Sequence, residues 1–312
     1  MALHDDELRP RRGGSPPRGA GIVGRIIAIG SLVVVIVVLA VIVLGSGKSP
    51  HPVTTSTATG TAARTTTTSA APAAPQAVPI LVYHVINNHP PGSSAPASLY
   101  VPANEFTAQM QALKRAGWRA ITLDQLAGYW SGRLKLGSSK PIVITFDGGY
   151  ASQFVTALPV LRGLGWVGVV DIPVNPLSSS EGGLLDSQVK GLVSAGWEMD
   201  LQGTTQTSLT SFGSASAVSQ EVTTERQSLQ GRLGGAVNWY AYANGAYNAS
   251  VTAGLKSAGL TGGLTLVPGW ASPRGDPTRL PRLAVVGGTS PAALQSQIAA
   301  AQHDPAPATS AG

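Results

Sequence analysis

Three aspartates stand where chemistry is possible. Asp147 closes the apolar run Lys140-Pro-Ile-Val-Ile-Thr-Phe146 and precedes Gly148 and Gly149. Asp171 lies in a second apolar run, Trp166 to Val174, and Asp200 in Gly196-Trp-Glu-Met-Asp-Leu-Gln202. Side chains at the carboxyl ends of parallel strands form the active sites of α/β barrels. The three carboxylates together could bind a hard cation such as Mg²⁺ or Ca²⁺. Ordinary solvent-facing or hydrogen-bonded aspartates are the commoner outcome and the reading preferred here. Gln202, Thr204, Thr205 and Gln206 supply a polar pocket floor, suited to a glycan or to water. Trp239, Tyr240 and Tyr242 alternate along a short run. One face of that run could stack on sugar rings, although core packing is the simpler use. The chain has no cysteine and no histidine between His89 and His303, so it offers neither thiolate nor an imidazole pair in its central region.

The elements that must position these residues alternate in type. Val78 to Tyr83, Ile142 to Phe146, Trp166 to Val174, Ala236 to Tyr242 and Leu283 to Val286 read as strands. Phe106, Met110 and Leu113 fall on one helical face, with Pro102 at its start and Gly117 at its end. Thr122-Leu-Asp-Gln125 has the spacing of a capping box. Phe154, Leu158 and Leu161 define another helix face. Ser214 to Leu233 and Ala249 to Ala258 read as helices, and Ser290 caps a last one with Pro291 at its first position. Such alternation predicts an α/β fold with a mainly parallel sheet.

The N-terminal quarter is different. Ile26 to Leu44 is an uncharged run of 19 residues. As a helix it measures about 28 Å at the usual rise, close to the roughly 30 Å hydrocarbon core of a bilayer. Arg9, Arg11, Arg12, Arg18 and Arg25 precede it, which places the N-terminus in the cytoplasm and the rest outside the cell. The run is longer than a cleavable signal's apolar region, so it is expected to stay as an anchor. The organisation expected is a basic cytoplasmic tail (1–25), a transmembrane helix (26–44), a Thr/Ala/Pro-rich disordered linker (45–77), a folded domain (78–302) and a disordered tail (303–312). Of the net charge of +6, the basic tail contributes +2, its five arginines set against Asp5, Asp6 and Glu7. It is a topology signal and a solvated surface rather than a nucleic-acid footprint.

The segments 140–149 and 196–210 resemble two signature motifs of the polysaccharide deacetylases, the NodB-homology family. There the first motif reads T-F-D-D-G and the second roughly H-[ST]-x-x-H. Val78-Pro-Ile-Leu-Val-Tyr-His84 is similar to the family's opening strand. Tyr240-Ala-Tyr-Ala-Asn-Gly-Ala-Tyr-Asn248 is similar to its third motif, and Leu280-Pro-Arg282 to a late segment. The resemblance implies a distorted (β/α) barrel and removal of acetyl groups from N-acetylated sugars, with a divalent metal such as zinc activating water. It makes Asp147 the candidate base, and Asn244, Gly245 and Tyr242 candidate substrate-binding positions, with the third-motif backbone helping to hold an oxyanion.

The same resemblance places Gly148, Gln202 and Gln206 where the family has its metal ligands. Glycine has no donor and glutamine only a neutral carbonyl, a weak ligand for zinc. The expectation is a domain without metal or other cofactor, in which Asp147 is more simply a structural residue and His84 a structural histidine. The family's late catalytic histidine has no counterpart after Leu280. The function expected is that of an envelope protein, anchored through residues 26–44, which binds N-acetylated cell-envelope glycan with weak or no catalysis and no nucleic-acid partner. The alternatives are an active N-deacetylase with an altered site and a scaffold or interaction module without a glycan role.

Overall fold

The computed structural model describes residues 75–175, 181–204 and 208–302. The expected transmembrane run 26–44, the linker up to residue 74, Thr205, Gln206 and the tail from His303 lie outside the described residues. Among the described residues no helix is long and apolar enough to cross a membrane.

In chain order the elements are β1 (Val78–Tyr83), α1 (Ala103–Arg115), β2 (Trp118–Ile121), α2 (Leu123–Trp130), β3 (Lys140–Asp147), α3 (Leu158–Gly163), β4 (Val169–Ile172) and α4 (Asp186–Ser194). They continue as β5 (Glu198–Gln202), α5 (Ala215–Leu233), β6 (Trp239–Ala241), α6 (Ala249–Ser257), β7 (Gly262–Leu264), β8 (Trp270–Ala271), β9 (Leu283–Ala284) and α7 (Pro291–Gln302). The sheet runs β7-β6-β5-β4-β3-β1-β8, with β2 added on β3 and β9 on β1. Every pairing is parallel except β1 with β8. Leu264 of β7 bridges Leu280, and from Leu283, the residue after Arg282, the chain pairs with β1. Segment 280–284 thus links the two ends of an incomplete barrel, and Arg282 sits at that link.

Strand alternation sorts the core into two layers. Ile142, Ile144 and Phe146 face outward to the helices, with Phe106, Met110, Leu113, Leu158 and Leu161 packed over them. Val78, Ile80, Val143, Val169, Trp239 and Leu264 face inward. The capping box is present: the Thr122 hydroxyl accepts from Gln125 N–H at 3.2 Å and the Gln125 side chain accepts from Thr122 N–H at 3.1 Å. The helix expected around Phe154 begins instead as a π-helical turn, Gln153–Ala157, before α3. That turn carries Gln153, whose side chain is taken up at the site below.

Candidate functional site

The inward positions near the carboxyl ends of the strands are polar rather than apolar. Asp147, Asp171 and Asp200 are in register across β3, β4 and β5. One parallel register puts their side chains on the same face, and all three are buried. Arg282 is fully buried with them. Its Nη1 and Nη2 donate to the two carboxylate oxygens of Asp147 at 2.6 and 2.8 Å. Nη1 also donates to the Thr145 hydroxyl at 3.0 Å, and Nε to the Thr265 carbonyl at 2.9 Å. A planar guanidinium against a carboxylate is the strongest geometry such a pair can take.

The electrostatics follow from this pairing. Burial alone would raise the Asp147 carboxyl, but the charge and hydrogen bonds of Arg282 override it and hold the carboxyl below its usual value. The guanidinium is correspondingly raised against the effect of its own burial. Asp171 lies 3.5 Å from Arg282 Nη1 and has no such clamp. Burial, then the Asp147 charge, push it well above the ordinary carboxyl range. Protonated, it can give its proton toward Asp147, whereas two adjacent carboxylates would repel. Asp200 is raised by burial and by Glu198, while its Oδ1 accepts from Asn238 and Trp239 N–H at 2.9 Å each. The three aspartates do approach one another. They do so as an ion pair beside two carboxyls that burial raises, not as an open cage of carboxylates.

The metal positions can be read directly. Gly148 has φ +93°, a left-handed conformation that suits glycine, and a Cβ there would stand 2.5 Å from Tyr150 Cε2. Its N–H donates to the amide oxygen of Gln202, so the two family ligand positions are joined by an internal hydrogen bond. Gln206, the third, lies outside the described residues. Both oxygens of Asp147 are committed to Arg282. Among the described residues no group of three or more His, Asp or Glu is arranged to hold a metal ion. The residues present do not fit the zinc that the family pattern implies.

The other candidates lie on either side of this cluster. His84 follows β1, and burial lowers its imidazole against the opposing pull of Asp147, so the ring is neutral near pH 7. Gln153, which sequence reasoning did not single out, is fully buried and donates to the main-chain oxygens of His84 (3.1 Å) and Asp147 (2.8 Å). It ties the first strand to the third. Only the π-helical turn, invisible in the apolar spacing, aims it there. Arg282 was read only as part of a late motif, and its role as the partner of Asp147 depends on the closure of the barrel.

In the third motif Asn244 is exposed and holds φ +53°, the one non-glycine with positive φ among the described residues. Gly245 follows at φ +69°, where a Cβ would meet the Leu266 backbone N at 2.9 Å. The turn is therefore sharply specified. Tyr242 lines a small pocket with Gly203, Thr204, Ser208 and Ala243, but most of its ring is taken up by the core. It is buried, stacks on Tyr247 at 5.6 Å and donates its hydroxyl to the Thr278 carbonyl at 2.7 Å. Trp239 and Tyr240 are buried as well. The aromatic alternation is core packing, with Trp239 inward and Tyr240 and Tyr242 toward the helices.

Comparison with known proteins agrees with this architecture. Residues 135–263 match the family model described as polysaccharide deacetylase. The Bacillus subtilis protein YxkH, whose name assigns it to the polysaccharide deacetylases, is 37% identical over 91 residues, a stretch covering 29% of this chain and 30% of that protein. The match thus spans less than a third of the curated relative. Among solved structures, the Streptococcus pyogenes deacetylase PplD, determined with acetate, superposes with a TM-score of 0.64 at 23% identity over 72% of this chain and 99% of its own. BA0330 of Bacillus anthracis, assigned to the polysaccharide deacetylases, superposes with a TM-score of 0.61 at 26% identity over 72% of this chain and 69% of its own. On its motifs, its α/β half-barrel and these matches, the chain carries a polysaccharide deacetylase-like domain.

Proposed function

We propose that this protein is a metal-free, catalytically weak or inactive member of its family, which binds N-acetylated cell-envelope glycan while anchored outside the membrane by residues 26–44. One observation carries the loss of chemistry: the Gly148 N–H and the Gln202 side chain satisfy each other where the family holds metal ligands. Without a metal, water at this site lacks a Lewis acid. Asp147 cannot replace it, because the Arg282 clamp makes its carboxylate a weaker base. Support for glycan binding is the sharply specified turn at Asn244 and Gly245, whose flanking Ala243 and Ala246 line a small pocket with Gly203, Thr204 and Ser208. The arginine bias ahead of the uncharged run supports the anchor.

The test is metal analysis of the purified protein beside an acetate-release assay on N-acetylglucosamine oligomers. The proposal expects no stoichiometric zinc after dialysis, no acetate release, and oligomer binding with Kd of order 0.1–1 mM, or roughly 4–5.5 kcal/mol. Acetate release that survives chelation would instead favour an active deacetylase with an altered site.

A further inference from the structure

A groove of about 570 Å³ lies at the opposite end of the domain, on the amino-terminal ends of the strands. That size falls in the range of small-ligand sites, about 300–1,000 Å³. Its lining joins Trp118 at the start of β2, Lys140 at the start of β3 and Trp270 of β8 to Gln295 and Ala299 of α7. The two indoles are partly exposed and meet edge to face at 5.9 Å. Lys140 Nζ stands 5.7 Å from the Trp118 ring centroid and donates to the Ala116 carbonyl at 3.3 Å. Trp270 Nε1 is spent on the Ile298 carbonyl at 2.8 Å, so the ring is oriented and offers its apolar surface, not its donor. The near wall is held too: Tyr129 Oη accepts from Gln76 N–H at 3.2 Å, and Trp130 Nε1 donates to the Gln76 carbonyl at 3.0 Å.

We propose that this groove is a second saccharide-binding site, distinct from the deacetylase-like centre. Two oriented aromatic surfaces suit the C–H faces of pyranose rings. The amides of Gln76, Gln295 and Gln302 and the hydroxyls of Ser138 and Ser139 supply both donors and acceptors for sugar hydroxyls. The lining holds one cation and no carboxylate, which fits a neutral or anionic glycan and disfavours a cationic, fully deacetylated one. The choice of an N-acetylated glycan as occupant rests on the function proposed above. Two sites at opposite ends would let one domain hold a polymer at two points, and linked weak sites gain through effective concentration.

The test uses the full chain with 5-fluorotryptophan at its six tryptophan positions, titrated with N-acetylglucosamine tetramer. Trp118→Phe and Trp270→Phe assign the two groove resonances. Both should move with Kd in the range 0.1–1 mM, while the resonance of buried Trp239 stays fixed. Ala299 is exposed on α7, so Ala299→Phe should fold normally, fill the groove and weaken the groove response at least tenfold. Silent Trp118 and Trp270 resonances, with calorimetric binding undiminished in Ala299→Phe, would overturn the second site and leave the proposed function standing. No binding to either form would sink both.

Discussion

Replacing Arg282 with methionine should destabilise this domain by about 3–5 kcal/mol at pH 7.5, the usual cost of removing one partner of a buried ion pair. The guanidinium is fully buried and makes hydrogen bonds to Asp147, Thr145 and Thr265. Methionine fills much of its volume and replaces none of these bonds. Most of the cost comes from Asp147, left charged and buried with no counterion. The pH dependence isolates that term. In the native protein Asp147 lies below its unfolded value, so its contribution is present near neutrality and is lost as pH falls through the folded pKa. In the variant Asp147 should rise above the unfolded value of about 3.9. The folded state then binds the extra proton, and the variant loses stability as pH rises above about 4. The penalty from urea denaturation should therefore be larger at pH 7.5 than at pH 4.5. Adding Asp147→Leu to Arg282→Met should recover more than half of it. A penalty under about 1 kcal/mol, equal at both pH values, would refute the claim that the pair organises the barrel interior.

Gly148→Ala should cost about 1–3 kcal/mol, from positive φ and from contact with Tyr150, and Tyr150→Ala should return part of it; thermal melts of the single and double variants check this. For the same reason Gly148→Asp with Gln202→His and Gln206→His should take up one zinc by metal analysis only if Tyr150 swings away, so adding Tyr150→Ala should improve uptake. Glu225, raised by burial to about 7 beside the Tyr240 hydroxyl, favours the protonated folded state. Stability should fall as pH rises from about 4.5 to 7, by at most about 3 kcal/mol and about half that after allowing for partial exposure, and Glu225→Gln should flatten that slope in denaturation curves. Thr122→Ala should lose about 1 kcal/mol through its capping box, read from the urea midpoint.

Much of the fold was legible because it depends on local pattern. Phe106, Met110 and Leu113 share a helical face and are all buried, and Thr122 with Gln125 forms the box that its spacing implies. The aspartates were legible as residues that could lie near one another, but not in their pairing. Their registry depends on β3, β4 and β5 aligning in space, which no spacing along the chain encodes. Arg282 was harder still, since 135 positions separate it from Asp147. Only the return of segment 280–284 to β1 brings them together. The π-helical turn at Gln153 escaped because its apolar residues satisfy an ordinary helical period too. Tyr242 was assigned to ligand on the strength of its motif; its ring packs in the layer beneath the helices and also lines a small pocket with Thr204 and Ser208, a placement that no spacing along the chain encodes.

The clamp on Asp147 bears on how far a signature residue can be trusted. A carboxylate in a catalytic motif invites a catalytic role. Here folding alone accounts for this one. Asp147 neutralises a buried guanidinium, the guanidinium ties the last segment of the barrel to the third strand through Thr145, and burial, then the Asp147 charge, raise Asp171. Substituting Asp147 would strand Arg282 whether or not the protein ever met an acetylated sugar. The residue's presence is therefore uninformative about catalysis. The informative positions are those whose side chains chemistry needs and folding does not. Gln202 is of that kind, and in this structure its amide oxygen accepts from the Gly148 N–H.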